Sequence, residues 1–356
     1  MRHLPKVKRR LHDLEVDAVL VNFAPDVRWS SGFTGSNGLL VVTTDAAHLI
    51  TDGRYRDQAE NEVPDDVMVH ISSNGLDAYL AESDLLAGCR RVAFQADHVT
   101  VSRRSDWDER FDGVEFVPVD QMLTNQAGVK SEDEVEAIAA AQRLTDGVFK
   151  DLLHLIQPGM TEKEVAAEIV YRHMKGGAEK MSFDPIVASG PNGALPHARP
   201  TDRVLQKGEL VVIDMGCFLN GYASDMTRTI AIGAPDEEMK QAYAAVLEAQ
   251  EAALQVARSG MQASELDAVA RDVLASHDLA DAFTHSLGHG LGLQIHEWPR
   301  VSRNSDSELS EGVVITIEPG VYIPGRFGIR IEDIVVIEEE GCRNLTTSPK
   351  DLKQIE

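Results

Sequence analysis

Two stretches far apart in the chain close in the same way, and this constrains the fold more than any other feature. They are Lys207-Gly-Glu-Leu-Val-Val-Ile-Asp214-Met-Gly216 and Glu311-Gly-Val-Val-Ile-Thr-Ile-Glu318-Pro-Gly320. In each, an apolar β run is closed by an acid six residues after one glycine and two before another. A long helical stretch, a Gly-Met turn (Pro158-Gly159-Met160, then Ser259-Gly260-Met261) and a shorter helix precede each run. A further acid follows each, Asp225 in one half and Glu332 in the other. Chance explains two similar apolar runs but not the coincidence of the acids that close them. The chain from residue 126 onward is therefore expected to be an α+β unit built from two related halves.

The residues around the first acid suggest what the repeat is for. Asn220-Gly221 is a strong signal for a two-residue type I′ hairpin. Such a turn pairs Leu219 with Tyr222 and hence Asp214 with Thr227, leaving Asp225 diagonally across from Asp214 on the same face. Diagonal neighbours lie about 7–8 Å apart, so two inward carboxylates can converge on one ion or bridge two. Exposed acids on an edge hairpin are the plain alternative, but the apolar run before Asp214 reads as buried. Buried like charges at this spacing are costly unless a cation neutralises them.

A second cluster is Thr284-His285-Ser-Leu-Gly-His289-Gly-Leu-Gly-Leu-Gln-Ile-His296-Glu297, which holds three of the chain's twelve histidines. Its interleaved glycines suit a backbone that passes close to something. A third is Gly328-Ile-Arg330-Ile-Glu332, where period-two alternation sets Arg330 and Glu332 on one face and the isoleucines on the other. Four carboxylates with an imidazole form an oxygen-rich set typical of two divalent ions about 3.5–4 Å apart. The donor types suit Mn²⁺ and admit Co²⁺, Fe²⁺ or Zn²⁺. Two such ions turn a bridging water into a hydroxide nucleophile near neutral pH, with the remaining histidines and a glutamate for proton transfer. Composition and spacing lead to a two-metal hydrolase and do not name its substrate.

Before residue 126, β-rich runs at 16–21, 39–44, 48–51, 67–72, 91–95 and 114–119 alternate with helical stretches at 55–63, 76–87 and 101–110. This predicts a small α/β domain over 1–125. No glycine fingerprint follows its first strand, so no nucleotide site is expected. Ser131-Glu-Asp-Glu134 and Thr161-Glu-Lys-Glu164 are capping-box patterns that open the first helices of the domain at 126–356. A formal charge of −24 disfavours nucleic acid as a partner. No apolar run is long enough to span a membrane. The three cysteines form no CxxC pair, so reduced thiols and a cytoplasmic location are expected, with no signal peptide at the basic N-terminus.

Taken in order, the motifs resemble the metallopeptidase family with the "pita-bread" fold, which includes methionine aminopeptidase, prolidase and aminopeptidase P. The resemblance rests on His197 in Leu-Pro-His-Ala, Asp214, Asp225, His289 in His-Ser-Leu-Gly-His-Gly-Leu-Gly, Glu318 in Ile-Glu-Pro-Gly, and Arg330-Ile-Glu332. It implies that Asp214, Asp225, His289, Glu318 and Glu332 hold two metals, commonly manganese, with Asp225 and Glu332 bridging them. It casts Glu318 also as the proton shuttle for the bridging hydroxide. His197 and His296 would stabilise the intermediate and hold substrate, His285 would shape a proline pocket, and Arg330 would orient the acids or bind substrate. Trp29-Ser-Ser-Gly-Phe-Thr-Gly-Ser-Asn-Gly38 and Thr51-Asp-Gly-Arg-Tyr55 resemble the creatinase/aminopeptidase P N-terminal domain, absent from methionine aminopeptidases. In the proline-specific branch that domain usually builds a homodimer and helps limit substrate length. The expected reaction is release of the N-terminal residue from peptides with proline second, with a prolidase acting on Xaa-Pro dipeptides as the alternative. A metal-free creatinase-like relative or binding module would have lost ligands, and all five are present.

Overall fold

The computed structural model describes residues 3–356. The chain divides into two compact units, one reaching Ala127 and the other running from Gly128 to Glu356.

The first unit contains α1 (Leu4–Asp13), β1 (Ala18–Val21), α2 (Ala24–Ser31), β2 (Gly38–Thr43), β3 (Ala47–Asp52), α3 (Arg56–Glu62), β4 (Met68–Ser72), α4 (Leu76–Glu82), β5 (Arg91–Gln95), α5 (Val101–Arg110) and β6 (Glu115–Val119). The short α6 (Thr124–Gly128) leads out of it. Its strands form one mixed sheet in the order β4-β3-β2-β1-β5-β6. The six expected strands are all present. Helices α1 and α2 were not expected: α1 buries only a narrow stripe, and two of the four residues that α2 buries are serines. In α1 only Leu4, Val7 and Leu11 face inward among basic residues, and both helices carry proline in the first turn, where a missing N–H costs nothing. The β2–β3 hairpin pairs Gly38 with Thr51, which brings the two N-terminal motifs together. There Asn37 Nδ2 donates to Asp52 Oδ2 (2.6 Å) and Thr51 Oγ1 to the Asn37 carbonyl (2.7 Å).

The second unit opens with α7 (Glu132–Leu155) and α8 (Glu162–Lys175), both started by the capping boxes read from the sequence. Strands β7 (Lys180–Met181), β8 (Ile186–Ser189), β9 (Glu209–Met215), β10 (Cys217–Leu219), β11 (Tyr222–Ala223) and β12 (Met226–Ile232) complete the first half. The second half repeats the order with α9 (Glu237–Val256), α10 (Ala263–Ser276), β13 (Gly288–Gly290), β14 (Glu297–Val301), β15 (Val314–Ile317), β16 (Gly320–Ile323), β17 (Phe327–Arg330) and β18 (Asp333–Glu338). Strands β19 (Gly341–Asn344) and β20 (Gln354–Ile355) extend the two sheets, ordered β20-β12-β9-β8 and β14-β13-β15-β18-β19.

The repeat extends to individual hydrogen bonds. Leu205 N donates to Met160 O (2.8 Å) in one half, and Leu309 N to Met261 O (2.9 Å) in the other. Glu162 N reaches Arg203 O (3.0 Å) as Ala263 N reaches Ser307 O (2.9 Å). Each helix pair packs on its own sheet: Phe149, Leu152, Val165 and Ile169 on Val211, Ile213 and Ile230, and Val246, Ala249, Leu266 and Ala270 on Ile315, Ile317 and Val335. The expected hairpin forms with Leu219 opposite Tyr222 and Asp214 opposite Thr227, and Asn220 and Gly221 both take positive φ, as a type I′ turn requires.

Glycine at 288 is forced by crowding, since a Cβ there would strike the Thr316 carbonyl of the neighbouring strand. Gly288→Ala is expected to destabilise the protein by about 1–3 kcal/mol or more through overpacking. Gly147, exposed within α7 with open space around it, serves as the control. Gly147→Ala is expected to stabilise by about 0.5–1 kcal/mol through helix propensity. Urea denaturation of both variants checks the opposite signs.

Candidate active site

The two sheets deliver acids to one place because β9 and β15 occupy equivalent positions. Asp214 lies in β9, and Glu318 follows the last residue of β15. Asp225 and Glu332 sit one residue before β12 and β18, where each chain leaves the ladder and a side chain can turn inward. His289 comes from the three-residue strand β13. Ligand atoms of Asp225, His289 and Glu332 all lie within 4.8 Å of one another. His289 Nε2 is 3.6 Å from Asp225 Oδ2 and 3.4 Å from Glu318 Oε1. Asp214 joins through Arg330, whose Nη2 donates to Asp214 Oδ2 (2.6 Å).

This donor set fits divalent cations. His289 donates from Nδ1 to the Gly290 carbonyl (3.0 Å), which leaves an Nε2 lone pair facing carboxylate oxygens with no proton between them. Asp214 Oδ1 and Glu332 Oε1 are buried and have no hydrogen-bond partner among the described residues. Unpaired buried carboxylate oxygens are expensive, and a cation is what they lack. Without one, burial and then the charges of Glu332, Asp214 and Glu318 push the Asp225 carboxyl well above the usual range. Burial, then Glu318 and Asp214, does the same to Glu332. Burial also lifts Glu318 to about 7, against the opposing charge of Arg330.

Arg330 is 4% exposed and organises the set. Besides Asp214 it donates from Nε to Thr227 Oγ1 (2.9 Å) and from Nη1 to the Tyr322 hydroxyl (2.7 Å). The Thr227 hydroxyl in turn donates a hydrogen bond to Glu332 Oε2 (2.8 Å). Arg330 and Glu332 are thus both buried members of the site rather than a surface pair. His285 donates from Nδ1 to the Ser286 carbonyl (2.8 Å), so its Nε2 accepts from Tyr322 OH (2.9 Å). Burial, then Arg330, lowers its pKa to about 3 and keeps this imidazole neutral.

His296 packs edge-on against the His289 ring at 4.4 Å, and desolvation followed by the charges of His289 and His197 lowers its pKa. His197 lies on an exposed loop, close enough for its charge to weigh on Glu318, His285 and His296. All nine residues singled out from the sequence therefore gather in one region of the second unit. Sequence reasoning missed Tyr322, although alternation from Glu318 through Gly320 puts it on the same face. It also missed Thr316, which accepts from His289 N (3.1 Å) and donates to Glu318 Oε1 (3.1 Å).

Residues 136–339 match metallopeptidase family M24, and residues 3–126 match the creatinase/prolidase N-terminal domain. The chain belongs to metallopeptidase family M24. It is 36% identical over 350 residues to a Xaa-Pro dipeptidase of Pyrococcus furiosus, covering 98% of this chain and 99% of that one. The crystal structure of an X-Pro aminopeptidase from Thermotoga maritima superposes with a TM-score of 0.92 at 38% identity, covering 98% of this chain and 100% of that one. A Xaa-Pro dipeptidase structure from Bacillus anthracis gives 0.95 at 34% identity, covering 99% and 100%. The fold is thus a creatinase-type domain followed by a pita-bread catalytic domain.

The electrostatics set the behaviour of the metal-free protein. A carboxyl whose folded pKa lies above its unfolded value stabilises the fold below the unfolded pKa, and loses that contribution as pH rises through the folded one. Chelator-stripped protein is therefore expected to become less stable as pH rises from 4.5 to about 7. Adding Mn²⁺ at a hundredfold excess over its Kd should raise stability by about 2.7 kcal/mol and flatten that slope. Urea midpoints across this range, with and without the ion, test both; a midpoint that climbs with pH in stripped protein contradicts the assignment.

Proposed function

We propose that this chain is a dinuclear metal-dependent exopeptidase that hydrolyses the bond before proline and releases the N-terminal residue of the peptide. The observation that carries the reading is the convergence of Asp214, Asp225, His289, Glu318 and Glu332 around carboxylate oxygens that lack a partner. These five residues would hold the ions, and the oxygen-rich set suits Mn²⁺. When bound, the ions would supply Lewis-acid polarisation of the scissile carbonyl and lower the pKa of the attacking water.

The chain's own groups supply the rest. Thr316 holds Glu318 Oε1, which leaves Oε2 to take the proton from the attacking water and pass it to the departing proline nitrogen. His197 and His296 would donate to the oxygen that becomes negative in the tetrahedral intermediate. His285, held neutral and fixed by Tyr322, would form a wall of the proline pocket. Arg330, held by Asp214, Thr227 and Tyr322, orients the acids. We also propose a homodimer in a reducing, cytoplasmic location; none of the described cysteines forms a disulfide, and no described helix is long and apolar enough to cross a membrane.

A second reading, a prolidase confined to Xaa-Pro dipeptides, is favoured by the names of the Pyrococcus furiosus and Bacillus anthracis relatives. Hydrolysis of Ala-Pro and Ala-Pro-Ala by Mn²⁺-reloaded protein separates the two. Faster cleavage of the tripeptide at the Ala–Pro bond supports the aminopeptidase, and cleavage of the dipeptide alone establishes the prolidase. If neither peptide is cut despite bound metal, the proline specificity is wrong. Glu318→Gln is expected to lower kcat by about 10²-fold or more, through loss of proton transfer; near-normal turnover would remove Glu318 from the shuttle.

A further inference from the structure

Glu162 is a fully buried acid with no part in the metal set. It is the first residue of α8, with 0% exposure, yet its carboxylate is saturated by one loop. Oε1 accepts from Ser189 N (2.8 Å), Ser189 Oγ (2.8 Å) and Asn192 Nδ2 (3.1 Å). Oε2 accepts from Asn192 Nδ2 (3.0 Å), Thr201 N (2.9 Å) and Thr201 Oγ1 (2.7 Å). Burial alone would raise its pKa, but the hydrogen bonds from Thr201 and Ser189 outweigh it and keep the group ionised. Charge-assisted bonds of this kind are about twice as strong as neutral ones.

Ser189 and Thr201 are the two feet of the loop that carries His197. One carboxylate therefore closes the loop at its base. At its crown the Pro196 carbonyl, next to His197, accepts from Arg330 Nη1 (3.3 Å). The second half shows the same device. Buried Asp267 of α10 accepts from Leu287 N (3.0 Å) and pairs with Arg271, which donates to the carbonyls of Phe283 (3.0 Å) and His285 (2.5 Å). In both halves the shorter helix uses a buried acid to hold a histidine-bearing loop.

We propose that Glu162 is a positioning residue for catalysis: by clamping Ser189, Asn192 and Thr201 it fixes the loop that places His197 over the metal-binding acids. The proposal rests on the role given to His197 above. Glu162→Gln keeps the shape but turns an acceptor oxygen into a donor aimed at donors. It is expected to lower kcat by about 10-fold or more, since small misplacements of reacting groups are costly. Metal content should be unchanged, and amides 190–201 should exchange hydrogen faster.

The deciding experiment is the double-mutant cycle of Glu162→Gln with His197→Ala, on Mn²⁺-loaded protein with whichever proline peptide is cut faster. If Glu162 acts through His197, the double variant is no slower than His197→Ala alone. Multiplicative losses overturn the proposal while leaving His197 in its role. Normal kcat in His197→Ala overturns that role and the proposal with it. Should Glu162→Gln fail to fold, Asn192→Ala, which removes donors from both carboxylate oxygens, takes its place in the cycle with the same outcomes.

Discussion

Mutual repulsion among four carboxylates, three buried and the fourth, Glu318, nearly so, is the constraint on which the catalytic unit is built. The charges of Glu332, Asp214 and Glu318 add to burial in raising the Asp225 carboxyl, those of Glu318 and Asp214 do the same to Glu332, and two oxygens of the cluster have no partner among the described residues. A fold whose net stability is on the order of 5–15 kcal/mol tolerates such a cluster only if its geometry is imposed from outside and its charge is met. Arg330 meets part of it, reaching Asp214 directly and Glu332 through Thr227. The remainder is the attraction that makes the site a cation trap.

Behind the acids lies a second buried layer that holds the backbone rather than the ions. Arg228, 1% exposed, pairs with Asp333 (2.7 Å) and donates to the carbonyls of Thr227, Glu332 and Ser348. Lys130 pairs with Glu297 (2.7 Å), and Glu297 accepts from Gln294 N (2.9 Å), fixing the turn that carries His296. With Glu162 and the Asp267–Arg271 pair, the loops of His197, His285 and His296 are each held by a charged group that is buried or nearly so. Because these anchors sit in low dielectric with their partners saturated, they lend rigidity to loops that would otherwise be mobile.

Much of this was legible in the residues. The capping boxes and the Asn-Gly hairpin each depend on neighbours within a few positions, and each appears where the spacing placed it, whereas the strand expected to run through Arg330 and Glu332 ends at Arg330. The acid-ended β runs identified the repeat, and the order of the motifs identified the family. What escaped notice depends on distant partners. Tyr322 matters because Arg330 and His285 approach it from different elements, and Glu162 because residues 27 to 39 positions away fold back onto it. Helices α1 and α2 escaped because the thin apolar stripe of α1 and the short, serine-containing buried face of α2 are weak signals until a sheet is there to pack against.

The sequence by itself determined the class of the two units, the duplicated scaffold and which residues to propose as the metal-binding set, because these follow from local periodicity, turn chemistry and donor type. Tertiary structure decided which oxygens are left unpaired, which imidazole nitrogen faces the acids, and which buried charges hold the loops. Those properties belong to pairs of atoms brought together from distant parts of the chain, where burial and a neighbour's proton, not residue type, fix what a group can do.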